Sequence, residues 1–134
     1  MTKFVYILII GFISSCSLKS NVKTTQVEVI TNKFIFNPIK YQDTIKHTFL
    51  IKNLSKNPLI IEAVGSSCGC VVTKFSKNPI SKNKFAEVDI TFTPEINQIG
   101  KIRKAILVKC NIQKNYIPFH IEGFVIGKSS LDLK

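Results

Sequence analysis

Ile45-Lys46-His47-Thr48-Phe49-Leu50-Ile51-Lys52 alternates in polarity with a period of two: Ile45, Phe49 and Ile51 share one side, and the other is mostly polar. Successive side chains of a β-strand point to opposite faces, so this is the pattern of a strand with one wet face. The same rhythm returns downstream. Ala86, Val88, Ile90 and Phe92 oppose Phe85, Glu87, Asp89 and Thr91; Ile102, Ile106, Val108 and Cys110 fall in phase; so do Ile117, Phe119 and Ile121, in a strand running to about Val125. Leu59-Ile60-Ile61-Glu62-Ala63-Val64 reads as a more apolar strand after a turn over Asn53 to Pro58, where Asn57-Pro58 disfavours helix. From Val27 onward short runs rich in Ile, Val, Phe and Thr are broken by Asn-Pro, Gly and Lys-Asn clusters, and no segment carries a helical period. This spacing predicts an all-β fold, an immunoglobulin-like antiparallel β-sandwich over residues 27–127, with 128–134 as a tail. There is no Trp, and no widely spaced cysteine pair of the antibody sort, so the core must be built from Phe, Ile, Val and Leu.

Ahead of this domain stands a different grammar. Met1-Thr2-Lys3 leads into an apolar run from Phe4 to Ile13, then Ser14-Ser15-Cys16. A charged start, an apolar block and a small-residue exit describe a secretory signal peptide. The cysteine after a branched apolar residue and two small ones resembles the lipobox of bacterial lipoproteins. That resemblance implies cleavage after residue 15 and lipid on the Cys16 thiol and the new amino group. The apolar run is about half of the roughly 20 residues a spanning helix needs. Residues 16–26, polar and apolar-poor, read as a lipidated flexible tether. Cys16 is then a stable membrane anchor, because two or more acyl chains hold firmly.

The formal charge is +11, from 19 Lys and Arg against 8 Asp and Glu. The cations are nearly all Lys, spread evenly, with Arg103 alone. That argues against nucleic acid, whose readers rely on Arg for bidentate base contacts. Nonspecific attraction to anionic lipid near the anchor suits the charge better.

The densest cluster of unusual residues is Gly65-Ser66-Ser67-Cys68-Gly69-Cys70. A disulfide between residues two apart closes a very small ring in a bent backbone, and Gly69 supplies the freedom for such a structural turn. A bridge of that kind is easily reduced and can serve as a redox couple. Two thiolates on one tight loop also suit a soft metal. Copper(I), content with two or three sulfurs, fits better than zinc, which wants four ligands and finds only Cys110, His47 and His120 as further candidates. The plainest alternative is a tight turn whose sulfurs pack as small hydrophobes. Cys110, in phase with Ile106 and Val108, reads as a buried core thiol, though a bridge to Cys68 or Cys70 stays open as the use of a third thiol. His47 falls on the Ile45–Phe49 side and reads as a core or rim residue; His120 falls on the solvent phase.

The run from His47 to Thr93 with its Ser67-Cys68-Gly69-Cys70 motif, then Gly100, Lys104, Ile106 and the late Gly123, resembles the bacterial family catalogued as domain of unknown function 1573. Phe49, Asn53, Pro58-Leu59, Ile61, Pro79-Ile80, Val88, Ile90 and Phe92 carry the rest of the likeness, over about residues 35–127. It implies an immunoglobulin-like fold, related in shape to major sperm protein and Hydin-type modules. It further implies life as a small envelope lipoprotein, and no established reaction. Lys82-Asn83 stands where the family commonly has Pro-Gly, and Cys110 where a small polar residue is usual. The eight carboxylates are scattered, and neither a phosphate loop nor a metal-binding His motif occurs. The expectation is therefore a non-enzymatic interaction module. It is tethered to the outer membrane on the periplasmic side, since no acidic run follows Cys16, and docks another envelope protein through a sheet face or edge. A copper or thiol-redox role of the Cys68–Cys70 turn is the alternative.

Overall fold

The computed structural model describes residues 23–127. Residues 1–22, with the expected signal peptide and Cys16, and the tail 128–134 lie outside the described residues. Among the described residues nine strands follow in order: β1 (Val27–Val29), β2 (Lys33–Ile35), β3 (Ile39–Lys40), β4 (Ile45–Asn53), β5 (Ile61–Ser66), β6 (Val71–Phe75), β7 (Phe85–Phe92), β8 (Gly100–Cys110) and β9 (Tyr116–Ile126). A single 3₁₀ turn, Ile96–Gln98, joins β7 to β8.

The strands form two sheets. One is wholly antiparallel, in the order β1-β4-β7-β6. The other runs β2-β9-β8-β5, with β3 also on β9. Here the expected antiparallel sandwich acquires a mixed edge, because β2 and β3 both lie parallel to β9. They act as one interrupted strand. The interruption at Phe36-Asn37-Pro38 turns the Phe36 ring into the core.

Alternation decides what each strand buries. Phe49 and Ile51 of β4, Ala86, Val88, Ile90 and Phe92 of β7, Ile106 and Val108 of β8, and Phe119 and Ile121 of β9 meet between the sheets. Phe49 stacks on Phe119 with ring centres 4.4 Å apart, and Phe36 leans on Phe92 at 5.8 Å. Each such side chain contributes about 1.5–3 kcal/mol on burial. Gly123 makes room for Phe36, since a Cβ there would stand 2.4 Å from the Phe36 ring. Pro118 is tolerated in a central strand because β2 joins β9 only from His120 onward, leaving no partner for the missing N–H.

Two expectations shift. The strand expected from Leu59 begins at Ile61 and continues through Gly65 and Ser66. Leu59 instead pairs with Ile80 in an isolated bridge, and Asn111 takes up Ile60: its Oδ1 accepts the Ile60 N–H at 2.8 Å, and its own N–H donates to the Ile60 carbonyl. The last part of the expected tether, residues 23–26, is built into the domain. Thr25 is buried and its N–H donates to the Asn111 carbonyl, while Asn111 Nδ2 donates to Thr25 Oγ1, Lys23 O and Pro58 O. Buried backbone groups need partners, and the Asn111 side chain serves three of them: Ile60 N–H, Lys23 O and Pro58 O.

Candidate functional site

The cysteine loop joins β5 of one sheet to β6 of the other. Ser66 Oγ donates to the carbonyls of Cys68 and Val71, and Ser67 exchanges bonds with Ala105 of β8, its N–H donating to Ala105 O and its Oγ accepting Ala105 N–H. The corner is therefore pinned on both sides. Cys68 and Cys70 are joined as a disulfide with their Cα atoms 5.3 Å apart. Cys70 is buried and Cys68 half-buried. The Gln98 side chain reaches over from the 3₁₀ turn, its Nε2 donating to Cys70 Sγ at 3.4 Å. Sequence reasoning missed Gln98, which lies 28 residues from Cys70 in a turn of three residues. Beside the bridge opens a cleft of about 590 Å³ lined by Tyr41, Gln42, Cys70, Val72, Thr93 and Ile96, among others. Val72 and Ile96 are largely exposed there, at 60% and 66%.

Cys110 is not brought to this pair. It pairs across from Ile61, at the other end of β5 from the cysteine loop, and is buried and free. Burial first, then the nearby Glu62 charge, pushes its thiol up to about 11. His47 lies at the rim of the core, where its ring stacks on Phe34 at 4.0 Å and meets Phe49 edge-on at 4.7 Å. Its Nε2 is buried with no partner, and desolvation holds its pKa below the usual 6.5. His120, expected on the solvent side, is half-buried, with Nδ1 enclosed and unpartnered. Among the described residues no three His, Cys, Asp or Glu side chains gather as a metal-binding group. Sulfurs bonded to each other also have no thiolate charge to offer copper, so that chemistry concerns only the reduced pair.

The outward faces of the two sheets differ. On the β1-β4-β7-β6 sheet the outer face carries Lys46, Thr48, Lys74, Asp89 and Thr91, with Thr48 donating to Asp89 at 2.6 Å and with Val72 and Phe85 exposed among them. Such polar-out alternation is ordinary for a sheet facing water. The outer side of β8 and β9 departs from it: Leu107, Tyr116 and Phe124 are each about half exposed, Ile126 nearly so, and Ile35 of β2 is 68% exposed. In register, Leu107 stands opposite Pro118 and Gly65, and Ala105 opposite His120. Of the cations on this face, Lys33 and Arg103 both engage Glu122 and Lys109 engages Glu62, while Lys101 stands opposite Phe124.

Several solved structures share the fold. A protein of unknown function from Porphyromonas gingivalis W83 is 15% identical with a TM-score of 0.67, over 82% of this chain and 51% of its own length. The present chain thus spans about half of that protein. The ASH/PapD-like domain 7 of human CEP192 matches at 15% identity and a TM-score of 0.63, covering 79% of this chain and 89% of that domain. The secreted serine protease VesC from Vibrio cholerae matches at 4% identity and a TM-score of 0.55, over 76% of this chain but 23% of the protease. At these identities the likeness establishes the immunoglobulin-like, PapD-like sandwich alone. Comparison by sequence with curated proteins finds no match. One family profile does match, over residues 27–125, which is most of the chain and includes the whole cysteine corner: the chain belongs to the family described as protein of unknown function (DUF1573).

Proposed function

We propose that this protein is a non-enzymatic docking module of the bacterial envelope, held to the outer membrane by lipid on Cys16 and facing the periplasm. It binds another envelope protein through the outer face of β8 and β9. The observation that carries the docking reading is the set of half-exposed apolar side chains on the outer face of β8 and β9. The β1-β4-β7-β6 face is mainly threonine, lysine and acidic side chains, with Val72 and Phe85 exposed among them; the β8–β9 face shows Leu107, Tyr116, Phe124 and Ile126. Exposed apolar side chains gathered on one face cost solubility and mark contact surfaces. Leu107 and Tyr116 lie toward one end of this face and Phe124 and Ile126 toward the other, with the Arg103–Glu122 pair between them. The leader and Cys16 support the envelope placement.

The test is site-specific photocrosslinking of the full chain in intact cells, with the crosslinker at Leu107 in one strain and at Thr48 on the polar face in another. A discrete crosslinked protein from position 107 and none from position 48 is the expected result. Equal products from both positions, or none from either, would overturn the docking face. Mass spectrometry of the mature protein tests the anchor separately: residues 1–15 absent and acyl chains on Cys16.

A further inference from the structure

We infer that the Cys68–Cys70 bridge is a directional thiol–disulfide exchange site, in which Cys68 is the sulfur attacked, Cys70 is the leaving thiolate and Gln98 is its positioning residue. The inference stands apart from the docking face, which lies on different strands' outer surfaces. Its substrate is a dithiol-bearing protein segment presented at the cleft beside the bridge.

Access sets the direction. Thiolate attack on a disulfide goes to the sulfur that can be reached, and it goes faster when the other sulfur leaves as a stabilised thiolate. Cys70 is 8% exposed and Cys68 is more open. The donor is on the Cys70 side, where Gln98 Nε2 lies 3.4 Å from Sγ. Its orientation is fixed by a reciprocal pair: Gln98 Oε1 accepts the Glu95 N–H at 3.2 Å, and the Gln98 N–H donates to the Glu95 carbonyl at 2.9 Å. With its oxygen so occupied, the amide presents its NH₂ to the sulfur and cannot flip without losing a bond. A disulfide sulfur is a weak acceptor, whereas a thiolate takes a charge-assisted bond roughly twice as strong as a neutral one. The interaction therefore grows as the S–S bond breaks, which is the condition for accelerating the step. The apolar Val72 and Ile96 side chains along the cleft give an incoming chain something to lie against.

The exchange balances as follows. A substrate thiolate attacks Cys68 Sγ; the substrate–Cys68 bond forms, the Cys68–Cys70 bond breaks, and its electron pair goes to Cys70 Sγ. The substrate's second thiolate then attacks the substrate sulfur of the mixed disulfide, closing the substrate's own disulfide and releasing the Cys68 thiolate. Two electrons have passed from the substrate dithiol to the bridge, and the protons lost by the substrate thiols balance those taken up by Cys68 and Cys70.

The full chain is exposed briefly to reduced glutathione, quenched in acid, alkylated and mapped by mass spectrometry. Glutathione should sit on Cys68 at about tenfold or greater excess over Cys70, given the difference in access and leaving-group stabilisation. Adducts spread equally, or found on Cys70, would overturn the direction. Free thiols at both positions in protein alkylated without reduction would overturn the site itself. In the reduced protein, Gln98→Ala should raise the pH midpoint for Cys70 alkylation by about one unit and slow reduction by dithiothreitol about tenfold, the size of one lost charge-assisted bond. A merely structural Gln98 would leave that midpoint where it was, and an unmoved midpoint excludes the positioning role.

Discussion

His47 meets the core through its ring faces, Phe34 on one side and the edge of Phe49 on another, while its buried Nε2 has no partner. Burial penalises the imidazolium and lowers its pKa below 6.5. The unfolded chain then binds the proton more readily than the folded one. Stability is full above about pH 6.5 and falls as the pH drops through that value toward the folded pKa, where the loss levels off. His47→Phe, which keeps the stack and removes the proton site, should flatten this decline; denaturant midpoints between pH 8 and pH 5 measure it. A wild-type midpoint that does not move over that range would contradict the burial argument. Among single residues, the inward phase of Phe49, Val88, Ile106 and Cys110 was legible from alternation alone. Gln98 and Asn111 were not, because a polar side chain in a turn announces no partner until the chain has folded back on it. Asn83 is intermediate: at the position where Gly is common in the family, it adopts a φ of 63°, left-handed backbone that asparagine accepts more readily than most residues.

Long elements could be read and short ones could not. β4, β7, β8 and β9 each carry enough alternating positions to declare themselves, and their antiparallel pairings follow from the order of the chain. β2 and β3 have three and two residues, and their parallel partner β9 lies some eighty residues further on, so nothing local encodes the pairing. What holds this edge is the fit between Phe36 and Gly123. Gly123→Ala would place a methyl group 2.4 Å from the Phe36 ring and drive it from the core. A destabilisation of about 1–3 kcal/mol is expected from the overpacking. Hydrogen exchange should show the loss of protection concentrated in β2 and β3 while β4 and β7 stay protected. A loss spread evenly over both sheets would argue against a local lock. The cysteine corner was legible as a cluster, since Ser-Cys-Gly-Cys between apolar runs stands out. Its donor was not, because the 3₁₀ turn that brings it is too brief to leave a periodic trace.

At the scale of the molecule, the sandwich has two distinct ends. Asn111, Thr25 and the loop after Asn53 close one; the cysteine bridge, Gln98 and the cleft close the other. Because residues 23–26 are part of the closed end, a chain begun at residue 27 should be less stable than one begun at residue 23. The Asn111 side chain would lose its bonds to Thr25 Oγ1 and Lys23 O, at a cost of about 1–3 kcal/mol for the buried groups left unpaired. Urea midpoints of the two forms measure this. Equal midpoints would return those residues to the tether.

The two-ended arrangement also sets how far the bridge lies from the point where the chain enters the domain. Residue 23 enters beside Asn111, whereas the sulfurs sit beyond the far end of β4, nine residues or roughly 30 Å away. A label or surface coupled at residue 23 would therefore sit at the end opposite the sulfurs and leave the cleft beside them open to a partner in solution.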